Sequence, residues 1–122
     1  MPTSTLTYIQ ASRSLSTLGF SGPTTTVSVN LPGPGGQSGD GFPLPHGGYL
    51  TRLFVWDGTT PRSDATHIGF VEGDRLSIYC QNAGANFTVK ARLNGTTTNL
   101  QVKNVPFNTT LYVVAEIMLI NQ

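Results

Sequence analysis

At 122 residues, the chain is long enough for one hydrophobic core and too short for two comfortable ones, so we expect a single domain. Only 11% of the residues are charged, and seven basic against six acidic residues give a net charge of +1, which excludes the concentrated positive field of a nucleic-acid-binding protein. The single cysteine, Cys80, excludes a disulfide within the chain, so stability must come from packing, a metal or partner subunits.

The amino-terminal third is polar and predicts short strands at residues 5–11, 14–20 and 25–31. We expect residues 1–24 to form an extended arm or edge strands, and residues 25–122 to form a β-sandwich. The first residues, MPTSTLTYIQASRS, lack the basic and apolar regions of a secretion signal. Export by that route is therefore not expected.

Residues 32–48 are dense in glycine and proline, and they predict a long loop without regular structure. The part from Gly33 to Gly39 is superficially similar to a phosphate-binding loop. It lacks the Gly-Lys-Ser/Thr ending that supplies a cation and a magnesium ligand. Because long loops in compact domains often carry contacts, this segment is instead a candidate contact surface.

A long strand is predicted from residue 48 to residue 57, and strict alternation gives it two apolar faces. One predicted face carries Tyr49, Thr51, Leu53 and Val55, and the other carries Leu50, Arg52, Phe54 and Trp56. One of these faces should pack in the core. The other should meet another subunit or a covering arm.

A three-stranded meander is predicted next, with strands at residues 74–81, 86–93 and 99–103. The connection Asn82-Ala83-Gly84-Ala85 and the dipeptide Asn94-Gly95 both have hairpin chemistry. The alternating apolar residues, including Cys80 on the first strand, should point into the core.

The last predicted strand, residues 110–120, is apolar on both faces, and it is about half the length that a membrane-spanning helix needs. We expect one face in the core and the other at a subunit interface. The predicted interface residues are Tyr112, Val114, Glu116, Met118 and Ile120. Glu116 should then pair with a cation, with Arg52 and Arg92 as the first candidates.

No residue pattern indicates catalysis, a cofactor or a metal. Ser63, Asp64 and His67 are the residue types of a hydrolytic triad, but a triad needs members that converge from separate elements. His46 and His67 lack the spacing of a zinc or calcium site. We therefore predict no enzyme activity, no bound cofactor and no metal dependence.

Trp56 and Tyr49 are candidate ligand or partner contacts. An aromatic face at Trp56, followed by the polar loop from Asp57, could stack on a sugar ring, whereas a tryptophan at a strand end more often covers the core. Both interpretations stay open. A carbohydrate-binding tip domain is accordingly the alternative function.

The segments from Phe42 to Val55 and from Gly73 to Ile78, together with residues 111–120, resemble compact trimeric β-modules with the architecture of the tumour necrosis factor jelly roll. Similar modules occur as head-decoration (cement) proteins and fibre tips of tailed bacteriophages. The resemblance implies an all-β antiparallel sandwich of jelly-roll type that forms a homotrimer with the last strand on the threefold axis. It also implies a place on the virion capsid and the major capsid protein as partner. From the charge and the length of the last strand, neither nucleic acid nor a membrane is an expected partner.

Overall fold

The computed structural model describes residues 13–36 and 41–120 as two antiparallel β-sheets that pack on one common core. This confirms the predicted all-β antiparallel sandwich. The strands are β1 (Arg13–Pro23), β2 (Val29–Leu31), β3 (Phe42–Pro43), β4 (Gly48–Trp56), β5 (Pro61–Asp64), β6 (Ile68–Phe70), β7 (Arg75–Asn82), β8 (Phe87–Leu93), β9 (Thr96–Val105) and β10 (Thr110–Ile120).

The first sheet has the order β1-β10-β4-β5, and β6 pairs with the other half of β4. The second sheet has the order β2-β7-β8-β9, and β3 pairs with β7 beside β2. The first and last strands are therefore neighbours, and they pair along the whole of β1. The finer jelly-roll topology stays a prediction.

The core lies between the two sheets. It is formed by every second residue of the strands, because successive side chains of a strand point to opposite faces. Phe87 is fully buried, and its ring meets Phe107 edge to face at a centroid distance of 4.7 Å. The other large side chains that are fully buried are Leu31, Leu44, Leu50, Leu53, Val55, Leu76, Ile78, Val89, Leu100, Val105 and Leu111.

The predicted meander is confirmed as β7, β8 and β9. Asn94 and Gly95 both have positive φ, 54° and 80°, as a tight hairpin requires. Gly84 also has positive φ in the preceding connection. Cys80 is fully buried, as its position in the alternation indicates.

One prediction about the loops is wrong, and two short strands were missed. The segment 32–48 contains one turn of 3₁₀ helix (Pro34–Gly36) and the short strand β3, while its residues 37–40 lie outside the described residues. β5 and β6 were not predicted at all. Both are short, and they owe their extended form to hydrogen bonds with β4 rather than to an apolar alternation of their own. The strand predicted at residues 5–11 lies outside the described residues.

Candidate interaction surface

The outer side of the first sheet carries large apolar side chains in place of the polar ones usual on a solvated sheet. We call this side the aromatic face. Its members are Leu15, Thr17, Gly19 and Ser21 of β1, Tyr112, Val114, Glu116, Met118 and Ile120 of β10, and Tyr49, Arg52, Phe54 and Trp56 of β4.

Strand β10 forms the middle of this face because it pairs with β1 on one side and with β4 on the other, and its residues alternate between core and exterior. Leu111, Val113 and Ala115 are at most 1% exposed, whereas Tyr112 between them is 52% exposed. Val114 is half-buried on the same outer side. The outer side of β10 is therefore partly exposed in the single subunit, and its place at a subunit interface stays a prediction.

Strand β4 contains a β-bulge that the alternation pattern did not reveal. Glu116 of β10 is opposite Arg52 and Ile117 is opposite Leu50, which leaves Thr51 as an extra residue. The predicted grouping of Tyr49 with Leu53 on one face is therefore wrong. The bulge shifts the alternation by one residue and places Tyr49 on the same side of the sheet as Phe54.

The aromatic face is ordered in cross-strand pairs. Trp56 is opposite Tyr112, and both rings are about half exposed, at 42% and 52%. Trp56 therefore does not cover the core. Phe54 is opposite Val114, which adds an aliphatic contact beside the rings. Such neighbours on one sheet face are close enough to form one continuous apolar patch.

The far end of the face continues the same arrangement. Tyr49 is opposite Met118, which in turn is opposite Leu15 of β1. Leu15 is 64% exposed. An open cleft of about 480 Å³ extends from Tyr49 to Ile120 at this end.

A polar pair interrupts the apolar patch at the bulge. The hydroxyl of Thr51 donates to Oε1 of Glu116 at 2.8 Å, because the bulge brings Thr51 and Arg52 to the same strand position. The guanidinium of Arg52 lies 5.6 Å from the ring centre of Phe54. Arg92, the other predicted partner of Glu116, is in the second sheet and stacks on Tyr79 at 3.8 Å, so it is not available to Glu116 of its own chain.

The seven residues predicted as contacts, five on β10 together with Trp56 and Tyr49, thus lie on one surface. Sequence reasoning did not include Leu15 in that set. The sequence pattern around Leu15 indicates an outward contact only weakly, since Leu15 is a single apolar residue in a serine- and threonine-rich strand. Phe54 was grouped with Trp56 on one face of the strand, without a decision on whether that face is inward or outward, and it was not chosen as a contact.

The loop after Trp56 is held by Asp57. Its carboxylate accepts hydrogen bonds from the backbone N–H groups of Thr60 (2.8 Å) and Thr59 (2.7 Å), and it forms an ion pair with Arg62 at 2.6 Å. The N–H of Thr60, and then the guanidinium of Arg62, lower the pKa of Asp57 to about 2. Hydrogen bonds and an ion pair to an ionised carboxylate therefore hold the loop that borders Trp56.

We expect these interactions of Asp57 to make the free energy of unfolding decrease in acid. The pKa of Asp57 is depressed from 3.8 to about 2 in the folded protein, so its stabilisation is complete above about pH 4 and is lost as the pH falls towards 2. Chemical denaturation at steps from pH 5 to pH 2 should show a smaller decline for Asp57→Asn than for the wild type. Parallel curves for the two proteins would contradict this account.

The residues considered for catalysis are not arranged for it. Ser63 and Asp64 are successive strand residues and therefore point in opposite directions. The carboxylate of Asp64 accepts hydrogen bonds from the hydroxyl of Thr66 and the backbone N–H of Gln101. The second of these bonds joins β5 to β9. His67 is exposed. Asp64 is thus engaged in structure rather than in orienting an imidazole.

The residues considered for metal binding are also dispersed. In residues 13–36 and 41–120, no group of three or more His, Cys, Asp and Glu side chains is placed to hold a metal ion. Burial raises the pKa of the Cys80 thiol to about 12, so it behaves as a small apolar side chain. No helix within the described part of the chain is long and apolar enough to cross a membrane.

Comparison with known proteins assigns the chain to no family. No protein-family model matches the chain, and neither a curated protein nor a solved structure shows significant similarity to it. The case for function therefore depends on the aromatic face and its surroundings.

Proposed function

We propose that this protein is a non-catalytic structural protein whose copies assemble into a homotrimer through the aromatic face, and that the trimer decorates and stabilises a virion capsid. The observation that carries the proposal is the group of large apolar side chains that this one face leaves between 42% and 64% exposed. They are Leu15, Tyr49, Phe54, Trp56 and Tyr112. A contiguous apolar patch of this kind marks an interaction surface on a soluble protein.

The chain does not need this surface for its own folding. The core between the sheets is already closed, with Leu53 and Val113 at most 1% exposed beneath the aromatic face. Tyrosine, tryptophan and phenylalanine are also the residue types enriched at the centres of protein interfaces. Burial between copies would remove this apolar area from water and stabilise the assembly by mass action.

The polar pair on the face supports a contact with another copy of the chain. Glu116 is half-buried and takes one hydrogen bond from Thr51, so a carboxylate buried further by assembly would need a cation. Arg52 has the right charge and lies on the same face. In the homotrimer we assign Arg52 of a neighbouring copy as the partner of Glu116, since arginine can give a carboxylate two hydrogen bonds.

Sedimentation tests the oligomeric state directly. We expect the purified protein to sediment at micromolar concentration as three subunits or a multiple of three, because the aromatic face is too apolar to stay in water at that concentration. Velocity and equilibrium runs over a dilution series give the mass. A monomer across the series would contradict the proposal.

The capsid role depends on the resemblance to head-decoration modules and needs its own experiment. Electron microscopy of particles from the source, labelled with an antibody to this chain, should show label distributed over the shell. The control is the same labelling with pre-immune antibody. Label confined to a fibre end would contradict a decoration role.

A carbohydrate-binding tip is the second candidate function, favoured by the exposed adjacent rings of Trp56 and Tyr112. Aromatic rings beside polar groups suit the mixed surface of a sugar. Specific binding on a glycan array that disappears in Trp56→Ala would favour this candidate. Absence of binding by the wild type would leave the structural role as the better account.

A further inference from the structure

Strand β1 forms one edge of the first sheet, and within residues 13–36 and 41–120 part of its backbone has no pairing partner. The N–H of Ser21 donates to the carbonyl of Pro32 at 3.0 Å, away from β10. In an antiparallel strand, every second residue directs its N–H and C=O to the same side. Leu15, Thr17 and Gly19 therefore also present their backbone groups at the open edge.

This edge lacks the protection that soluble proteins usually give to an edge strand. From residue 14 to residue 22, β1 has no charged residue and no proline, and its register with β10 runs without a bulge. Within residues 13–36 and 41–120, only Ser21 makes a backbone hydrogen bond on the open side of this strand. The stretch before Ser21 is thus ready to accept another strand.

We propose that β1 pairs antiparallel with β1 of a second copy of this chain, about a twofold axis that passes beside Thr17. This contact goes beyond the proposed function, because it uses the edge of the sheet rather than the aromatic face. The pairing places Thr17 opposite Thr17, and Leu15 of each copy opposite Gly19 of the other. Three residues per strand then exchange about six backbone hydrogen bonds.

The register follows from the free residues together with their side chains. Ser21 is already bonded to Pro32, which leaves Arg13, Leu15, Thr17 and Gly19, and the register centred on Thr17 is the one that sets the exposed Leu15 against the open space at Gly19. A hydrogen-bonded pair of threonines at the centre is one of the favourable cross-strand pairs. A shift by one residue would place the backbone groups out of register with their partners.

The side chains favour a second copy over an unrelated strand. Leu15 is 64% exposed, and a Cβ added at Gly19 would meet nothing within 4 Å. The pairing lays each Leu15 into the open space over Gly19 of the other copy, on the side of the aromatic face. The surface is therefore complementary to itself, as a twofold contact requires.

Cysteine crosslinking tests both the pairing and its register. Thr17→Cys should form a disulfide-linked dimer on mild oxidation, because hydrogen-bonded cross-strand Cα atoms lie about 5.5 Å apart. Leu15→Cys alone and Gly19→Cys alone should not crosslink, since each would be displaced from its own copy by about 13 Å along the strands. A mixture of these two variants should form the crosslinked heterodimer. Cys80 is buried and should stay unreactive.

The outcomes separate this contact from the homotrimer. Crosslinking of Thr17→Cys should persist when Phe54→Lys disrupts the aromatic face, because Phe54 lies on β4 and away from the edge. Equal crosslinking of all three single variants, or no crosslinking of Thr17→Cys, would overturn the proposed pairing. Absence of a homotrimer when the aromatic face is intact, with Thr17→Cys still crosslinking, would overturn the proposed function alone.

A proline substitution gives a second measurement. Thr17→Pro removes an N–H at the open edge and leaves the hydrogen bonds to β10 in place, so the subunit should fold. The dissociation constant of the edge contact should rise at least about tenfold, as judged by sedimentation. Leu18→Pro is the control that removes a bond to β10, and it should lower the melting temperature. Unchanged association of a folded Thr17→Pro would overturn the pairing.

Discussion

Phe54→Lys is expected to abolish every species of three subunits while leaving the subunit folded. Phe54 is 42% exposed near the middle of the aromatic face, opposite Val114, and its side chain points away from the core. In a trimer built on this face, the new ammonium group would be buried beside Arg52, and the nearby carboxylate of Glu116 is already assigned to Arg52 of a neighbouring copy. The added charge would thus lack a counterion of its own, which costs several kcal/mol. We therefore expect at least about a hundredfold weakening, measured by sedimentation equilibrium.

The matched control introduces the same charge on the other sheet. Gln81→Lys changes an exposed residue of β7, on the outer side of the second sheet. This control variant should sediment with the same mass distribution as the wild type. Circular dichroism should show the same strand content for both variants. A trimer that survives Phe54→Lys would show that the aromatic face is not its interface.

Phe87→Ala is expected to lower the free energy of unfolding by about 3–5 kcal/mol. Phe87 is fully buried, and its ring packs edge to face on Phe107. Removing the ring loses its burial and leaves a cavity that the rigid sheets around it cannot fill. Urea denaturation, followed at a dilution at which the protein is monomeric, gives the difference.

The matched control is the same substitution at the exposed phenylalanine. Phe54→Ala should change the stability of the monomer by less than about 1 kcal/mol, because that ring already lies partly in water. It should instead weaken association. Equal losses of monomer stability at both positions would contradict the assignment of Phe87 to the core and Phe54 to a contact surface.

The aromatic face and the free edge belong to the same sheet, and this gives the two proposed contacts different roles. The face holds large rings whose burial would drive assembly, whereas the edge offers backbone groups that set a register. Leu15 takes part in both, since it lies on the aromatic face and on the edge strand. The edge contact would therefore join assemblies formed through the face.

Much of the fold could be predicted because its causes are local. Alternating residues such as Phe87, Val89 and Ala91 determine which side of a strand is buried, and Asn94-Gly95 determines a tight hairpin. These properties depend on a few neighbouring residues. The second sheet's meander and the two-sided character of β10 were thus determined by the sequence alone.

The surface itself was decided by the tertiary structure. The bulge at Thr51 depends on how β4 pairs with β10, and no pattern within β4 signals it. Tyr49 joins Phe54 on the outer side only because of that bulge. Likewise, the open edge exists because β1, among the residues that the structure describes, pairs with a strand on one side alone, that of β10. Pairings between strands far apart in the chain depend on the packing of the whole core. Alternation and turn chemistry could therefore identify individual outward residues, but not the surface that they form together.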